Sequence, residues 1–256
     1  MPRGSKLYFI SDIHLGVPPH EQERERMFVA WLDSIKDDAA EVFLLGDIFD
    51  FWFSYKHVVP RGGVRVLGKL AELADSGITV HYATGNHDMW IFDYFSQELG
   101  LRTYTQPWEF TYDGRRFLVG HGDGLGKSDR KYNFLKLLFS STICRRLFAS
   151  LHPCIGMTVA HLWSRKSRSS HTEMDLTYFG HDKEDITKYC IKQLENKHYD
   201  YFVFGHRHLR LDIDLGGGAR YINLGQWMTD KYYAVYHDGK MTIKDFSFSD
   251  DRQQIE

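Results

Sequence analysis

The chain has few cysteines and no long hydrophobic run, and these absences exclude several classes of protein. The three cysteines, Cys144, Cys154 and Cys190, are odd in number and form no Cys-x-x-Cys pair, which argues against a disulfide framework or a zinc ribbon. The apolar stretch Leu7–Ile10 is too short for a signal peptide, and no run approaches the length of a membrane span. We therefore expect a cytoplasmic protein without a transmembrane segment.

The chain as a whole also lacks a strong net charge, but one segment of it does not. The formal net charge is −2, whereas residues 127–168 contain nine basic residues against one acid, Asp129, so that this segment carries +8 and the remainder −10. A charge split of this size predicts that the segment meets something anionic. A solvated basic helix face is the alternative.

Length and composition indicate one large α/β domain. The 256 residues, of which 43% are hydrophobic and 26% charged, suffice for a sizeable core. In the first third of the chain, strand-like apolar runs alternate with helical periodicity. The predicted elements are strands at Leu7–Ile10, Val42–Leu45 and Thr79–Ala83 and helices at Gln22–Lys36 and Val64–Asp75. This order predicts βαβ units and a mainly parallel sheet.

The second half of the chain reads mostly as short strands separated by turns, with hairpin signals at Asp113-Gly114 and Asp238-Gly239. The predicted strands are Trp108–Tyr112, Arg115–Val119, Tyr201–Phe204, Leu211–Leu215, Ala219–Asn223, Tyr232–Tyr236 and Met241–Phe246. We expect them to form a second sheet packed against the first. The predicted fold is α/β, a two-sheet β-sandwich flanked by helices, in a single domain over residues 6–248.

Residues 127–168, which we call the cap segment, break this pattern. Two apolar helical stretches, Asn133–Leu151 and Ile155–Trp163, are joined at His152-Pro153. We expect a helical hairpin inserted into the domain and set over the edge of the sheet. The alternative is an amphipathic cap that buries its apolar face on the sheet.

Five short motifs carry the chemistry of the chain, and each follows a strand-like run. They are Asp12-Ile13-His14, Gly46-Asp47, Gly85-Asn86-His87-Asp88, Gly120-His121-Gly122-Asp123 and Gly205-His206-Arg207-His208. Functional residues of such sheets collect at the carboxyl ends of strands. The motifs therefore predict a cluster of seven metal-ligating side chains: Asp12, His14, Asp47, Asn86, His121, His206 and His208.

Seven oxygen and nitrogen donors are enough for two divalent cations, with Asp47 as the bridging carboxylate. We expect Asp12, His14, Asp47 and His208 on one ion. Asp47, Asn86, His121 and His206 are then expected on the other. Mixed carboxylate, amide and imidazole ligands suit Mn²⁺, Fe²⁺, Co²⁺ or Zn²⁺ better than Mg²⁺, and Mn²⁺ is the ion that we expect.

The ordered motifs, from about residue 7 to 225, resemble those of the calcineurin-like metallophosphoesterase superfamily. The resemblance implies that water attacks phosphorus beside two metal ions. It also implies that His87 stabilises the transition state or protonates the leaving oxygen, while Asp88 orients the His87 ring. Imidazole suits this role because it titrates near neutrality.

The cap segment is similar to that of the UDP-2,3-diacylglucosamine hydrolases of lipid A biosynthesis. The resemblance implies an acylated, nucleotide-linked sugar as substrate, hydrolysed at its pyrophosphate. It places Asn86, His87, Asp129, Tyr132, Ser167 and His206 at the substrate. Many members of that family have arginine where this chain has His87, which is the general superfamily form.

Apolar side chains interleaved with cations would let the cap segment hold acyl chains and lie on an anionic membrane surface. We therefore expect peripheral association with the inner membrane, no nucleic-acid partner and no obligatory protein partner. A phosphoesterase for soluble nucleotides is the main alternative. A non-catalytic scaffold would be expected to lose ligands, and all seven positions are filled.

Overall fold

The computed structural model of the chain describes residues 4–126, 137–169 and 177–247, without the side chains of residues 166–169. The described residues form two β-sheets that pack face to face, with helices on both outer faces. The helices are α1 (Glu21–Ile35), α2 (Val64–Asp75), α3 (Tyr94–Gln97), α4 (Thr142–Ser150), α5 (Pro153–Ser169) and α6 (Asp185–Leu194).

The first sheet has six strands. They are β1 (Lys6–Ile10), β2 (Ala39–Leu45), β3 (Thr79–Ala83), β4 (Arg102–Tyr104), β10 (Tyr232–His237) and β11 (Lys240–Asp245). Their spatial order is β11-β10-β1-β2-β3-β4. The four strands from β1 to β4 are parallel. On the other side of β1, β10 pairs with β1 in antiparallel orientation, and β11 pairs with β10 in the same way.

The second sheet has five strands. They are β5 (Trp108–Tyr112), β6 (Arg115–Val119), β7 (Tyr201–Phe204), β8 (Arg210–Gly216) and β9 (Ala219–Leu224), in the spatial order β5-β6-β7-β9-β8. The central strands β6, β7 and β9 are parallel. The carboxyl ends of β6 and β7 therefore lie together, as those of β1, β2 and β3 do in the first sheet.

Alternation along β1 explains how the layers pack. Leu7 and Phe9 point into the layer between the two sheets, whereas Tyr8 and Ile10 point to the layer under α1 and α2. Since successive side chains of a strand point to opposite faces, a fully apolar strand can serve two cores. A third apolar layer lies between the second sheet and α6.

The predicted fold class is confirmed, and the bounds of α2, β3, β5, β6 and β7 are those that the sequence predicted. One assignment was wrong: the last two strands do not join the second sheet. Strand β10 pairs with β1, with Leu7 opposite Tyr236, and β11 pairs with β10. Sequence analysis also missed β4, α3 and α6.

Helices α4 and α5 lie between β6 and α6 in the chain, within the cap segment. Ser141 caps α4 by accepting a hydrogen bond from the Cys144 backbone at 3.1 Å, and the backbone is extended at Leu151 before α5 begins at Pro153. The predicted helix Asn133–Leu151 begins before the described part of this region, so its residues 133–136 cannot be compared with the prediction.

One aromatic side chain of α4 fastens the pair to the body of the protein. The Phe148 ring lies 4.7 Å from Trp90 and 4.8 Å from Phe53, measured between centroids. The Trp90 indole N–H donates to the Phe139 carbonyl oxygen at 2.9 Å. A Cβ on Gly156 would stand 2.7 Å from the Tyr55 hydroxyl, so only glycine lets α5 approach so closely.

Most of the other apolar side chains of this region face outward, and none of the residues of α4 is buried. The exposed ones, which we call the apolar cap face, are Leu137, Leu138, Ile143, Leu147, Leu151, Ile155, Val159, Leu162 and Trp163. These side chains therefore do not pack against the sheet. No helix within the described ranges has both the length and the apolar character needed to cross a membrane.

The core between the two sheets predicts a large cost for truncating Phe43, a buried residue of β2, the strand that precedes Asp47. Its ring stacks on Phe9 at 4.6 Å, His81 at 4.4 Å and Phe110 at 4.9 Å. We expect Phe43→Ala to lower the free energy of unfolding by about 3–5 kcal/mol in urea titrations. Val64→Ala, at an exposed position, is the control and should change it by less than about 0.5 kcal/mol. Equal effects of the two variants would contradict the assignment of Phe43 to the core.

Candidate metal centre

The two sheets deliver all seven predicted ligands to one edge of the sandwich. Asp12 and His14 follow β1, Asp47 follows β2 and Asn86 follows β3, while His121 follows β6 and the pair His206 and His208 follows β7. Backbone hydrogen bonds tie neighbouring loops together. The amide of Asp12 donates to the Gly46 carbonyl at 3.1 Å, and that of Gly205 donates to the His121 carbonyl at 2.9 Å.

Five of the seven predicted ligands have a left-handed backbone conformation. The φ angles are 55° at Asp12, 50° at His14, 53° at Asp47, 69° at His206 and 54° at His208. Non-glycine residues adopt positive φ rarely, at a cost on the order of 1–3 kcal/mol each, and such residues cluster at functional sites. The backbone conformation of these loops is therefore energetically unfavourable, and it serves to position the side chains of the site.

The first cluster contains Asp12, His14 and His208. The Nε2 atoms of the two histidines face each other at 3.3 Å, and Asp12 Oδ1 lies 3.1 Å from His208 Nε2. The three donor atoms lie within 4.8 Å of one another. Asp12 and His14 are buried, whereas His208 lies partly open to solvent.

The second cluster contains Asn86, His121 and His206. The Asn86 side-chain oxygen lies 3.2 Å from His121 Nε2 and 3.0 Å from His206 Nδ1. Asp47 Oδ2 lies 3.4 Å from His121 Nε2. Asp47 also forms a group with Asp12 and His121 within 4.8 Å, which places it between the two clusters.

Electrostatics separate the histidines into two kinds. Burial lowers the pKa of His14 to about 3 and the pKa of His206 to about 4, so both rings are neutral at pH 7. Burial also opposes charge on His121, but the charge of Asp47 and the hydrogen bond to it raise the pKa of His121 well above its usual value.

The aspartates are held ionised by the same contacts. Burial opposes charge on Asp47, but the surrounding histidines, His121 first among them, together outweigh it and place the pKa of Asp47 well below its usual value. For Asp12, burial is likewise outweighed by the hydrogen bond to His208 together with the nearby histidine charges, and the pKa is lowered. Two buried carboxylates therefore stay charged among imidazoles.

These donors fit divalent cations. The Nε2 atoms of His14 and His208 converge on one buried carboxylate oxygen, Asp12 Oδ1, at 3.9 Å and 3.1 Å. The His14 Nδ1 atom is buried and has no hydrogen bond among the described residues. Carboxylate, amide oxygen and neutral imidazole are together the ligand types of a mixed first-row metal site.

Glycines of the motifs make room for the ligands. Gly46 has φ +87°, and a Cβ there would stand 2.7 Å from the His121 ring. A Cβ on Gly85 would overlap the Asp47 carboxylate. Gly-Asp and Gly-Asn are therefore steric requirements of a site in which two loops touch.

Among the described residues, Asp88 contacts the ligand loops, and no hydrogen bond joins it to the His87 ring, whose orientation by Asp88 stays a prediction. Its buried carboxylate accepts backbone hydrogen bonds from Gly85 at 2.7 Å, Ile48 at 3.0 Å, Asp47 at 3.3 Å and Phe49 at 3.4 Å. It also accepts from the Tyr82 hydroxyl at 2.5 Å. Asp88 holds the two ligand loops together, because its position after β3 faces the loop after β2.

The contacts of the His87 ring come instead from Asp50 and from α5. Its Nδ1 atom lies 3.1 Å from the Asp50 carbonyl oxygen, 3.6 Å from the Asp50 carboxylate and 3.0 Å from the Ser164 hydroxyl. Asp50 lies three residues after Asp47, in the loop that follows β2. Nothing in the pattern of the cap segment indicated Ser164.

Three predicted substrate contacts have no geometry to compare. Asp129 and Tyr132 lie outside the described residues, and the side chain of Ser167 in α5 is not described. Asn86, His87 and His206 are in the cluster. His81, near the third motif, is a structural residue: it contacts Glu41 at 2.9 Å and the Tyr104 hydroxyl at 3.1 Å, away from the ligands.

Comparisons with known proteins identify the family of the chain. The family model described as calcineurin-like phosphoesterase matches residues 5–210. The chain is 37% identical over 254 residues to the UDP-2,3-diacylglucosamine hydrolase of Porphyromonas gingivalis, covering 93% of this chain and 96% of that protein. It is 26% identical to the protein of the same name from Aeromonas hydrophila, covering 92% of this chain and 96% of that one.

Among solved structures, a dimetal phosphatase from Danio rerio aligns with a TM-score of 0.48 and 14% identity, covering 96% of each chain. The family model spans all seven ligand positions, from Asp12 to His208. The chain belongs to the calcineurin-like phosphoesterase family and is a metal-dependent phosphoester or pyrophosphate hydrolase.

Proposed function

We propose that the chain hydrolyses the pyrophosphate of UDP-2,3-diacylglucosamine to UMP and 2,3-diacylglucosamine 1-phosphate. The observation that carries this proposal is the 37% identity over 93% of the chain to a protein named for that substrate. In the reaction, the oxygen of one water bonds to the α-phosphorus and the bridging P–O bond breaks. The protons of the water pass to the products or to solvent.

Asp12, His14, Asp47 and His208 would hold one divalent ion, and Asp47, Asn86, His121 and His206 the other. When bound, such ions polarise phosphoryl oxygens and lower the pKa of the attacking water. The distances of 3.0–3.4 Å between donor atoms within each cluster support this division. Mn²⁺ is our choice for both ions, and the mix of carboxylate, amide and imidazole ligands is compatible with it, as it is with Fe²⁺, Co²⁺ and Zn²⁺.

His87 is proposed as the group that donates a proton to the leaving oxygen. It follows the ligand Asn86, and its ring centroid lies 5.0 Å from that of His14, so it stands at the rim of the metal cluster. Its side chain is 9% exposed, which leaves little water around the ring. Asn86 and His206 are proposed to contact the phosphates beside it.

The cap segment, residues 127–168 of a single domain over residues 6–248, is proposed to bind the acyl chains and the inner membrane surface. The apolar cap face supports this, with Ile143 73% and Leu147 65% exposed. Arg145, Arg146 and Arg165 supply cations on the same helices for phosphate and anionic lipid. Asp129, Tyr132 and Ser167 remain proposed substrate contacts.

The proposal is tested by incubating the Mn²⁺-loaded protein with UDP-2,3-diacylglucosamine and measuring UMP by mass spectrometry. We expect UMP and the acylated sugar phosphate in equal amounts. UDP-sugars without acyl chains should react much more slowly, because the apolar cap face gains nothing from them. Equal rates on both substrates would instead support a phosphoesterase for soluble nucleotides.

A charged substitution on the apolar cap face separates the lipid role from catalysis. We expect Leu147→Glu to raise KM for the acylated substrate by about 10- to 150-fold, since losing the burial of one leucine costs about 1.5–3 kcal/mol. Hydrolysis of bis(p-nitrophenyl) phosphate, which has no acyl chain, should stay within about twofold. Val64→Glu adds the same charge at an exposed valine of α2 and is the control. Equal losses on both substrates would refute the lipid role.

Two substitutions should separate metal binding from proton transfer. We expect Asp47→Ala to abolish both activity and the binding of the second metal ion, because Asp47 is the carboxylate proposed to be shared by the two ions.

His87→Ala should lower kcat by about 10²–10⁴-fold while the metal content stays at two ions per chain, measured by inductively coupled plasma mass spectrometry. Parallel loss of metal and activity in His87→Ala would show that His87 is a ligand.

A further inference from the structure

The Nδ1 atom of His87 contacts two parts of the protein, and one of them is the cap segment. Ser164 of α5 is a buried serine, 4% exposed. Its hydroxyl donates to Asp50 Oδ1 at 2.7 Å and lies 3.0 Å from His87 Nδ1. A residue 77 positions away in the chain thus contacts the ring proposed to transfer the proton.

The hydrogen bonds determine which nitrogen of His87 carries a proton toward the protein. Nδ1 lies 3.1 Å from the backbone carbonyl oxygen of Asp50, and a carbonyl oxygen can only accept. Nδ1 is therefore the donor, shared between this carbonyl and the Ser164 oxygen. Because the serine gives its own hydrogen to the Asp50 carboxylate, the three groups form one consistent chain of donors and acceptors. Nε2 is left as the nitrogen for substrate, and it can donate a proton to the leaving oxygen only when the ring carries a hydrogen on both nitrogens.

Helix α5 is seated closely enough to hold this arrangement. Gly156 packs against the Tyr55 hydroxyl and the Phe148 ring, where a Cβ would stand 2.7 Å and 3.1 Å from them. One turn before Ser164, His161 lies on the same face of α5, with Nδ1 3.8 Å from Asp50 Oδ2. Among the described side chains of α5, Ser164 and His161 both approach Asp50.

We propose that Ser164 is a positioning residue for the reaction, through which the seat of α5 sets the orientation of the His87 ring. The inference rests on the proposed function, since it concerns the same site. It extends that function by making turnover depend on how the cap segment is docked, and not only on the metal ligands. Ser164 acts through Asp50 and His87, because its own hydrogen is already donated to Asp50.

The test uses the full chain loaded with Mn²⁺ and two diesters, methyl p-nitrophenyl phosphate and methyl phenyl phosphate, which differ in the acidity of the leaving phenol. We expect Ser164→Ala to lower kcat about tenfold on the phenyl ester, with KM and metal content unchanged. The loss should be smaller on the p-nitrophenyl ester, whose leaving group needs less protonation. A purely structural role would affect both esters equally.

The same substitution is also made in a protein that lacks the His87 side chain. In the His87→Ala protein, adding Ser164→Ala should change kcat less than twofold, because residues that act through one group are not additive. Ser164→Thr keeps the hydroxyl and should regain most of the activity. Ser164→Cys fills the space without a strong donor and should stay impaired, which also covers the case in which the alanine variant fails to fold. Ser150→Ala, whose hydroxyl bonds only its own helix at the Leu147 carbonyl, is the matched control.

The outcomes are distinct. Full activity of both Ser164→Ala and Ser164→Cys, or the same loss with and without His87, would overturn the inference while leaving the proposed function standing. Absence of any diester or pyrophosphate hydrolysis by the wild-type protein would overturn both.

Discussion

The buried carboxylate of Asp88 is the interaction on which the rest of the site depends. It accepts four backbone N–H groups, from Gly85 and from the three residues Asp47–Phe49, together with the Tyr82 hydroxyl. Burial and the nearby Asp47 charge raise the pKa of Asp88 to about 6, so the site is a costly place for a negative charge. The hydrogen bonds offset that cost, and in doing so they tie the loop after β2 to the loop after β3. The proposed bridging carboxylate and the proposed amide ligand are thereby held at fixed separation.

Backbone strain is a second unfavourable contribution to the free energy of the loops at this edge of the sandwich. A left-handed conformation at five of the seven proposed ligands brings side chains from separate strands to one point, at an energy that only the surrounding sheets can offset. The fully buried layers under the loops supply that support. Phe9 and Phe43 lie in the strands that lead into Asp12 and Asp47, and both are completely buried. The buried core therefore supports the strained loops that carry the proposed ligands.

How much of this could be predicted depended on the range of the interactions involved. Local signals worked well: the helix over Val64–Asp75 has the predicted bounds, and both Asp-Gly pairs have positive φ as tight hairpins require. The ligands could be found because each follows an apolar strand. Strand partners could not, since the alternation along β10 fits either sheet and only its pairing with β1 decides. The roles of Asp88 and Ser164 were equally hidden, because they depend on contacts across 41 and 77 residues of sequence.

The geometry around His87 explains why a histidine suits this position in place of the arginine that many of the related hydrolases carry. Arginine offers five donors and a permanent charge, and would need acceptors on several sides. Histidine needs one acceptor for Nδ1, which the Asp50 carbonyl provides, and gains from a carboxylate nearby, which Asp50 provides at 3.6 Å. The Ser164 hydroxyl completes the set from α5. The Nδ1 atom of this ring is therefore contacted both by the loop after β2 and by the cap segment. Within the described residues, the proposed metal centre and the cap segment meet at His87 and at Asp50, so that the proposed proton donor lies where the two parts join.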